Sequence, residues 1–341
     1  MSKFSNILVT GGAGYIGSVL TRKLVESKYN VKVLDSLIFG QDGISDLVSN
    51  ESVKLFVDDI RNEKILTDVL KDVDCVIHLA AIVGEPLCNK IPEIATQINE
   101  LATKKIVDSC KKSGVQRLNF ASTCSNYGSS LETVNEDTPL ESLSLYSETK
   151  VKSELNVLNS QDKNFEPCVL RFATAYGLSP RMRFDLLLQE FIRDALIDKK
   201  ISIFGPNHWR PLVHVDDIAS ACIIAIENSK NISGETYNVG GSNEIRNIKI
   251  VESICSILDK LRPADSGESY HELITYVKDR PGHDYRYSID STRIKNELNW
   301  EPKESFDTGL IKTIKWYLKN DLWWKKIQNH VYKQERLGVS S

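Results

Sequence analysis

The first half of this 341-residue chain predicts an α/β fold, a doubly wound parallel sheet with helices on both faces. Three observations carry that expectation. Short apolar runs such as Ile7-Leu8-Val9 and Cys75-Val76-Ile77 alternate with stretches of helical period. The runs are apolar at consecutive positions, as strands buried on both faces require. The first run ends in Thr10-Gly11-Gly12-Ala13-Gly14-Tyr15-Ile16-Gly17, which reads as strand, glycine turn and helix start.

Taken in order, residues 15–27 have helical period and Val31-Lys32-Val33-Leu34 is a second strand ending at Asp35. A strand at 53–57 runs to Asp58-Asp59-Ile60, and 62–71 follows as a helix. The run 75–81 is a buried strand ending in small residues, which let a flat ligand lie against the backbone. Residues 91–113 form one long helix, 118–121 a strand, 145–159 a helix and 168–171 a further strand. Beyond Arg171 the strands shorten and prolines and aromatics cluster. Helices are expected at 185–196, 215–228, 248–258 and 306–319, with a strand at 235–239. This divides the chain into a first domain, 1–171, and a smaller C-terminal α/β substrate domain, 172–330, with 213–239 returning to the first. The aromatic and basic tail after Asp321 reads as a packing arm or a dimer contact.

The glycine turn has a chemical reading. Glycine permits a tight turn, close approach of the backbone to a pyrophosphate and close packing of helix on strand. The phosphates then face free N–H groups at the positive end of the helix. Asp35 stands where an acid would bind the adenosine ribose of a dinucleotide. Ser36 and Leu37 follow, with no Arg to hold a 2′-phosphate, so the expected cofactor is NAD rather than NADP. An NTPase phosphate loop is excluded, because Ser18 stands where its Lys would be.

Composition narrows the classes. With 43 basic and 46 acidic residues the formal net charge is −3, and neither a nucleic acid nor an anionic membrane is an expected partner. No apolar run is long enough to span a bilayer, and the first strand begins too early for a signal peptide before it. Seven scattered cysteines without a Cys-x-x-Cys pair read as reduced thiols of a cytoplasmic protein, and the six histidines form no metal-spaced cluster.

Tyr146-Ser147-Glu148-Thr149-Lys150 places a phenol and an ammonium on one helix face. A phenol with a pKa near about 10 is a poor base at neutral pH, but a nearby ammonium and an oxidised nicotinamide both favour the phenolate. Tyr146 can then take a proton from a sugar hydroxyl, while Lys150 holds the nicotinamide ribose. In the polar loop Ser122-Thr123-Cys124-Ser125-Asn126-Tyr127-Gly128, Thr123, and after it Ser122, can share a hydrogen bond with the sugar oxygen and Tyr146.

Together with Thr10–Gly17, Asp35, Asp59-Ile60, His78–Ala81, Arg210–Asp217 and Arg280–Asp290, these motifs resemble the nucleotide-sugar epimerase/dehydratase family of extended short-chain dehydrogenases/reductases. The resemblance implies a Rossmann-type NAD domain, a C-terminal domain for a nucleoside-diphosphate sugar, and a homodimer through a four-helix bundle built from helices 91–113 and 145–159. By position it implies that Gly11, Gly14 and Gly17 cradle the pyrophosphate, that Tyr15 and Ile16 beside them bind the cofactor, that Asp35 binds the ribose, and that Asp59 and Ile60 flank adenine. Leu79, Ala80 and Ala81 would line the cofactor, and Asn99 would support the active-site backbone. Thr123, Tyr146 and Lys150 would form the catalytic set. Arg210 and Arg280, with His283 nearby, would hold the sugar nucleotide, since guanidinium binds phosphate at two points.

The departures from the family pattern matter. Sugar 4,6-dehydratases carry an Asp-Glu pair directly after the catalytic Thr, where this chain has Cys124 and Ser125. That argues for oxidation at C4, as a 4-epimerase, with a 4-dehydrogenase releasing a 4-keto sugar as the alternative and a 4,6-dehydratase behind both. Ile82–Cys88 and Ser179–Asp185 resemble a subgroup that includes a nucleotide-heptose 4-dehydrogenase, and Arg181 or Arg183 would touch substrate there. A reading from another class is a non-catalytic dinucleotide-binding regulator; the presence of Thr123, Tyr146 and Lys150 together weighs against it.

Overall fold

The computed structural model of the chain describes residues 4–130, 132–228, 232–241, 244–264, 267–278, 286 and 288–330, the last five of these as backbone alone. Seven strands form the main sheet in the order Glu235–Val239, Glu166–Phe172, Arg117–Thr123, Cys75–His78, Asn6–Thr10, Asn30–Asp35, Val53–Val57. Every neighbouring pair is parallel. The chain steps outward from Asn6–Thr10 in one direction, then returns and builds the other half. The reversal leaves a crevice at the carboxyl ends of Asn6–Thr10 and Cys75–His78, where doubly wound sheets hold their ligands.

Strand alternation explains the two layers of core. Ile7, Val9, Val31, Val33, Cys75, Ile77, Cys168 and Leu170 pack against the helices Tyr15–Glu26 and Val215–Glu227 on one face. Leu8, Leu34, Val76, Leu118, Phe120 and Val169 point the other way, onto Glu63–Val69, Ala102–Ser113 and Leu145–Leu158. Helices and short strands after Thr174 surround a separate core that includes Tyr176, Phe184, Ile254, Leu310 and Tyr317. Ile294, Leu298 and Trp300, late in the chain, pack instead with the first core.

Three elements differ from their expected form. The long helix at 91–113 is broken into Pro92–Thr96, a wide π turn Gln97–Leu101 and Ala102–Ser113. The extra residue in the π turn lets the Asn99 carbonyl accept from both Thr103 Oγ1 (2.6 Å) and Ser153 Oγ (2.7 Å), which ties this helix to Leu145–Leu158. The helix expected at 185–196 is Leu187–Arg193 followed by a second π turn, Asp194–Asp198. The tail forms a helix, Asp321–His330, anchored by Trp324, which is fully buried beside Phe184 and Tyr317 and donates its indole N–H to the Tyr317 carbonyl at 2.9 Å. Among the described residues no helix is long and apolar enough to cross a membrane.

Candidate active site

A cavity of about 530 Å³ opens at the crevice and runs from Asp35 past Tyr146 to Arg210. Its floor is the glycine turn. Gly11 has φ +72°, and a Cβ on it would lie 2.8 Å from the Ala80 nitrogen; a Cβ on Gly17 would lie 2.1 Å from the Gly11 oxygen. Both positions therefore exclude a side chain, one by conformation and contact, the other by packing. Gly14 caps the helix Tyr15–Glu26 without a side chain, and that helix has no acid in its first turn. Its N–H groups are left to an anion. At the end of Asn30–Asp35 the Asp35 carboxylate accepts the N–H groups of Ala13 (3.0 Å) and Leu37 (2.9 Å). Burial pushes the Asp35 pKa up, and those two donors oppose it. A bare cradle, an uncapped helix start and an acid beside them fit a dinucleotide pyrophosphate and ribose.

Ile60, Leu79, Ala80, Ala81, Tyr15 and Ile16 line the same cavity. So does Asp59, but its carboxylate is engaged at two points by Arg61 (2.7 and 3.0 Å), whose hydrogen bonds hold its pKa down. Asn99 stands behind the wall rather than on it. Its amide accepts from Ile82 N (2.8 Å) and donates to Ile82 O (2.9 Å), fixing that stretch of backbone. A second device does the same for Ala80. Ala80 N donates to Thr10 Oγ1 (3.3 Å); Thr10 and His78 Nδ1 are 2.7 Å apart; His78 Nε2 is 3.0 Å from Thr103, which donates to the Asn99 carbonyl. Because Thr103 gives its proton to a carbonyl, His78 must donate through Nε2 and accept through Nδ1. Burial, helped by the Lys150 charge, lowers the His78 pKa to about 3, so the ring is a neutral spacer between Thr10 on its strand and Thr103 on the helix Ala102–Ser113.

Tyr146 and Lys150 sit on the helix Leu145–Leu158, whose start is fixed by a capping box between Ser144 and Ser147. Thr123, at the end of Arg117–Thr123, lies close enough to the Tyr146 hydroxyl for its side chain to hold the phenol pKa down. Thr123 Oγ1 accepts from Ser125 N and donates to Ser125 Oγ, both at 3.2 Å, so Ser125 fixes its side chain. Burial raises the Tyr146 pKa, with the Arg183 charge and the Thr123 side chain opposing it. The Lys150 Nζ lies 4.2 Å above the Phe120 ring.

Burial lowers the Lys150 pKa from 10.5 to about 8, against the opposing charge of Glu154. The unfolded chain therefore holds this proton over a window in which the folded chain has released it. Stability of the cofactor-free protein should rise with pH between about 8 and 10.5 from this group, by on the order of 2–3 kcal/mol. Urea unfolding across that range, with Lys150→Met as the reference, reads the difference; parallel curves for the two proteins would refute it.

On the far side of the cavity, Arg183 is paired at two points with Asp185 (3.1 and 2.6 Å) and its charge reaches Tyr146. Arg210, on Trp209–His214, is buried and donates to its neighbour's carbonyl, Trp209 O, at 2.7 Å. Arg280 and His283 lie outside the described residues. Arg181, offered with Arg183 as the residue that touches substrate, lies over the Phe39 ring, where its charge reaches Asp35. The sequence reading also passed over Glu154, one turn beyond Lys150. It forms a buried pair with Arg171 (2.7 Å) and accepts from Asn126 (2.7 Å) in the loop after Thr123. The spacing Tyr-x-x-x-Lys-x-x-x-Glu was its signal.

A glycine cradle at the switch point of a parallel sheet, an acid at the next strand end and a Tyr–Lys pair across the cavity define a dinucleotide-dependent oxidoreductase of the Rossmann type. The sequence profile of the NAD dependent epimerase/dehydratase family matches residues 7–240. The probable dTDP-glucose 4,6-dehydratase of Sinorhizobium fredii is 34% identical over 352 residues, 98% of each chain. Two solved structures superpose closely. The dTDP-glucose 4,6-dehydratase of Bacillus anthracis in complex with NAD has a TM-score of 0.83, 31% identity and coverage of 95% of this chain and 99% of that one. The UDP-glucuronic acid 4-epimerase of Bacillus cereus, in complex with UDP-glucuronic acid and NAD, has a TM-score of 0.83, 30% identity and coverage of 92% and 99%. The chain belongs to the NAD-dependent epimerase/dehydratase family of extended short-chain dehydrogenases/reductases, and NAD is its cofactor.

Proposed function

We propose that the protein is a nucleoside-diphosphate-sugar 4-epimerase: it oxidises C4 and returns the hydrogen to the opposite face of the sugar. The observation that supports this over dehydration is the pair after Thr123. Cys124 is 3% exposed and Ser125 is tied to Thr123. Neither is a carboxylate, whereas loss of water across C5 and C6 needs a base and an acid in place. The dehydratase reading draws its support from the Sinorhizobium and Bacillus anthracis relatives, and Glu85 and Glu190 also line the cavity.

In this reading Gly11, Gly14 and Gly17 hold the NAD pyrophosphate, Asp35 the adenosine ribose and Lys150 the nicotinamide ribose. NAD supplies the hydride acceptor when bound. Tyr146 takes the C4 hydroxyl proton, and Thr123 orients that hydroxyl. Lys150, as an ammonium, favours the phenolate against the burial that raises it. Arg183 and Arg210 face the sugar and its diphosphate. After the ketone presents its other face, Tyr146 returns the proton. Residues 172–330, less 213–239, serve as the sugar-nucleotide domain. Exposed Ile94, on Pro92–Thr96, Leu101, in the π turn after it, and Leu155, on Leu145–Leu158, lie on the stretches that would pair across a homodimer. The protein acts in the cytoplasm, where its seven buried cysteines stay reduced.

The test is incubation with UDP- and dTDP-hexoses in heavy water, followed by NMR of the sugar and nicotinamide absorbance. An epimerase gives the C4 epimer without added NAD and without deuterium at C5. Persistent nicotinamide reduction identifies a 4-dehydrogenase, and deuterium at C5 with loss of water a 4,6-dehydratase; either refutes the epimerase reading.

A further inference from the structure

Arg181 and Arg183 are two residues apart, both line the cavity, and their side chains have different neighbours. Arg183 acts on Tyr146. Arg181 lies with its guanidinium carbon 4.4 Å from the centroid of the Phe39 ring, donates to Met182 O at 2.8 Å, and its charge reaches the Asp35 carboxylate. This placement is built, not incidental. Ser179 Oγ donates to Tyr15 O (2.7 Å), meets Ser18 Oγ (2.9 Å) and accepts from Arg181 N (3.1 Å). Tyr15 in turn donates its hydroxyl to Gly177 O at 2.8 Å. These bonds fasten the segment that carries Arg181 to the first turn of the helix after the glycine cradle. Across from it, a Cβ on Gly43 would come 2.8 Å from the Arg181 Cβ and 2.5 Å from Ala13 O, so the loop that carries Phe39 folds down onto the same place.

We propose that Arg181 is a cofactor-binding residue, holding the adenosine half of the dinucleotide, with Phe39 as the platform that fixes its guanidinium. A planar cation matches both the anionic pyrophosphate and the electron-rich adenine. The same group is placed to receive a 2′-phosphate, so the charge of Asp35 is what refuses NADP. The chain thus contains the arginine that an NADP site needs, delivered from a segment distant in sequence.

The inference rests on the NAD dependence of the family and not on the sugar chemistry, so its test reads binding and no turnover. The full-length protein, stripped of nucleotide, is titrated with NAD, NADP, UDP and dTDP. Arg181→Ala should weaken NAD by about tenfold or more, the scale of one charge-assisted hydrogen bond. It should leave the thermal midpoint of the stripped protein and the binding of UDP or dTDP unchanged, and Arg181→Lys should recover part of the loss. Asp35→Asn should gain NADP binding, and Asp35→Asn with Arg181→Ala should lose it again. NAD binding at wild-type strength in Arg181→Ala, or NADP binding that survives in the double variant, overturns the proposal. If Arg181→Ala does not fold, Arg181→Lys and Phe39→Leu carry the same comparison, and wild-type NAD affinity in both overturns it.

Discussion

Tyr146→Phe should lower kcat by about 10²- to 10⁴-fold, the range of a single general acid–base group, while NAD stays bound. The substitution removes one oxygen. The ring keeps its place on the helix Leu145–Leu158, and Lys150 keeps its seat over Phe120. What is lost is the group within reach of Thr123 that can take a proton. The structure also explains why the phenol needs help. Burial alone raises its pKa, so in the protein by itself it holds its proton. The base forms only when cationic neighbours outweigh that burial. Nucleotide released on denaturation should be NAD in unchanged amount, which separates lost chemistry from a lost cofactor. Turnover surviving in Tyr146→Phe would remove the phenol from the mechanism.

How much of this was written in the sequence depends on distance along the chain. The cofactor cradle was legible because its parts are local: a contiguous glycine turn, an acid at the next strand end, and a Tyr–Lys pair four apart on one helix. Parallel pairing was legible because strands buried on both faces read as unbroken apolar runs. The π turn Gln97–Leu101 was not, since one inserted residue shifts the helical period without leaving a Pro or Gly to mark it. The direction of Arg181 was not, because it depends on Ser179 reaching Tyr15 and Ser18, over 160 residues away. Nor was the neutrality of His78, which follows from Thr10 and Thr103 closing on it from two other elements.

Glu154→Gln should destabilise the protein by about 3–5 kcal/mol, the cost of leaving a buried cation unpaired. Burial works against the Arg171 charge, and Glu154, with Tyr127, more than offsets it. Both side chains of the pair are almost wholly enclosed. Glu154 also anchors the loop after Thr123 through Asn126, while Arg171 donates to Tyr127, which donates to Asn238 on the next strand. One carboxylate thus joins the helix of Tyr146 and Lys150 to the loop of Thr123. It is also the charge that opposes the lowering of the Lys150 pKa, so without it Lys150 is less protonated at neutral pH. Stability and catalysis should then come apart in a second variant. Replacing both Glu154 and Arg171 by Met removes the unpaired charge and should recover much of the lost urea resistance. It should not recover kcat, because Asn126 and Lys150 still lack their partner. A single variant as resistant to urea as the wild type would show that the pair holds nothing together, and a double variant with full kcat would show that the site does not depend on it.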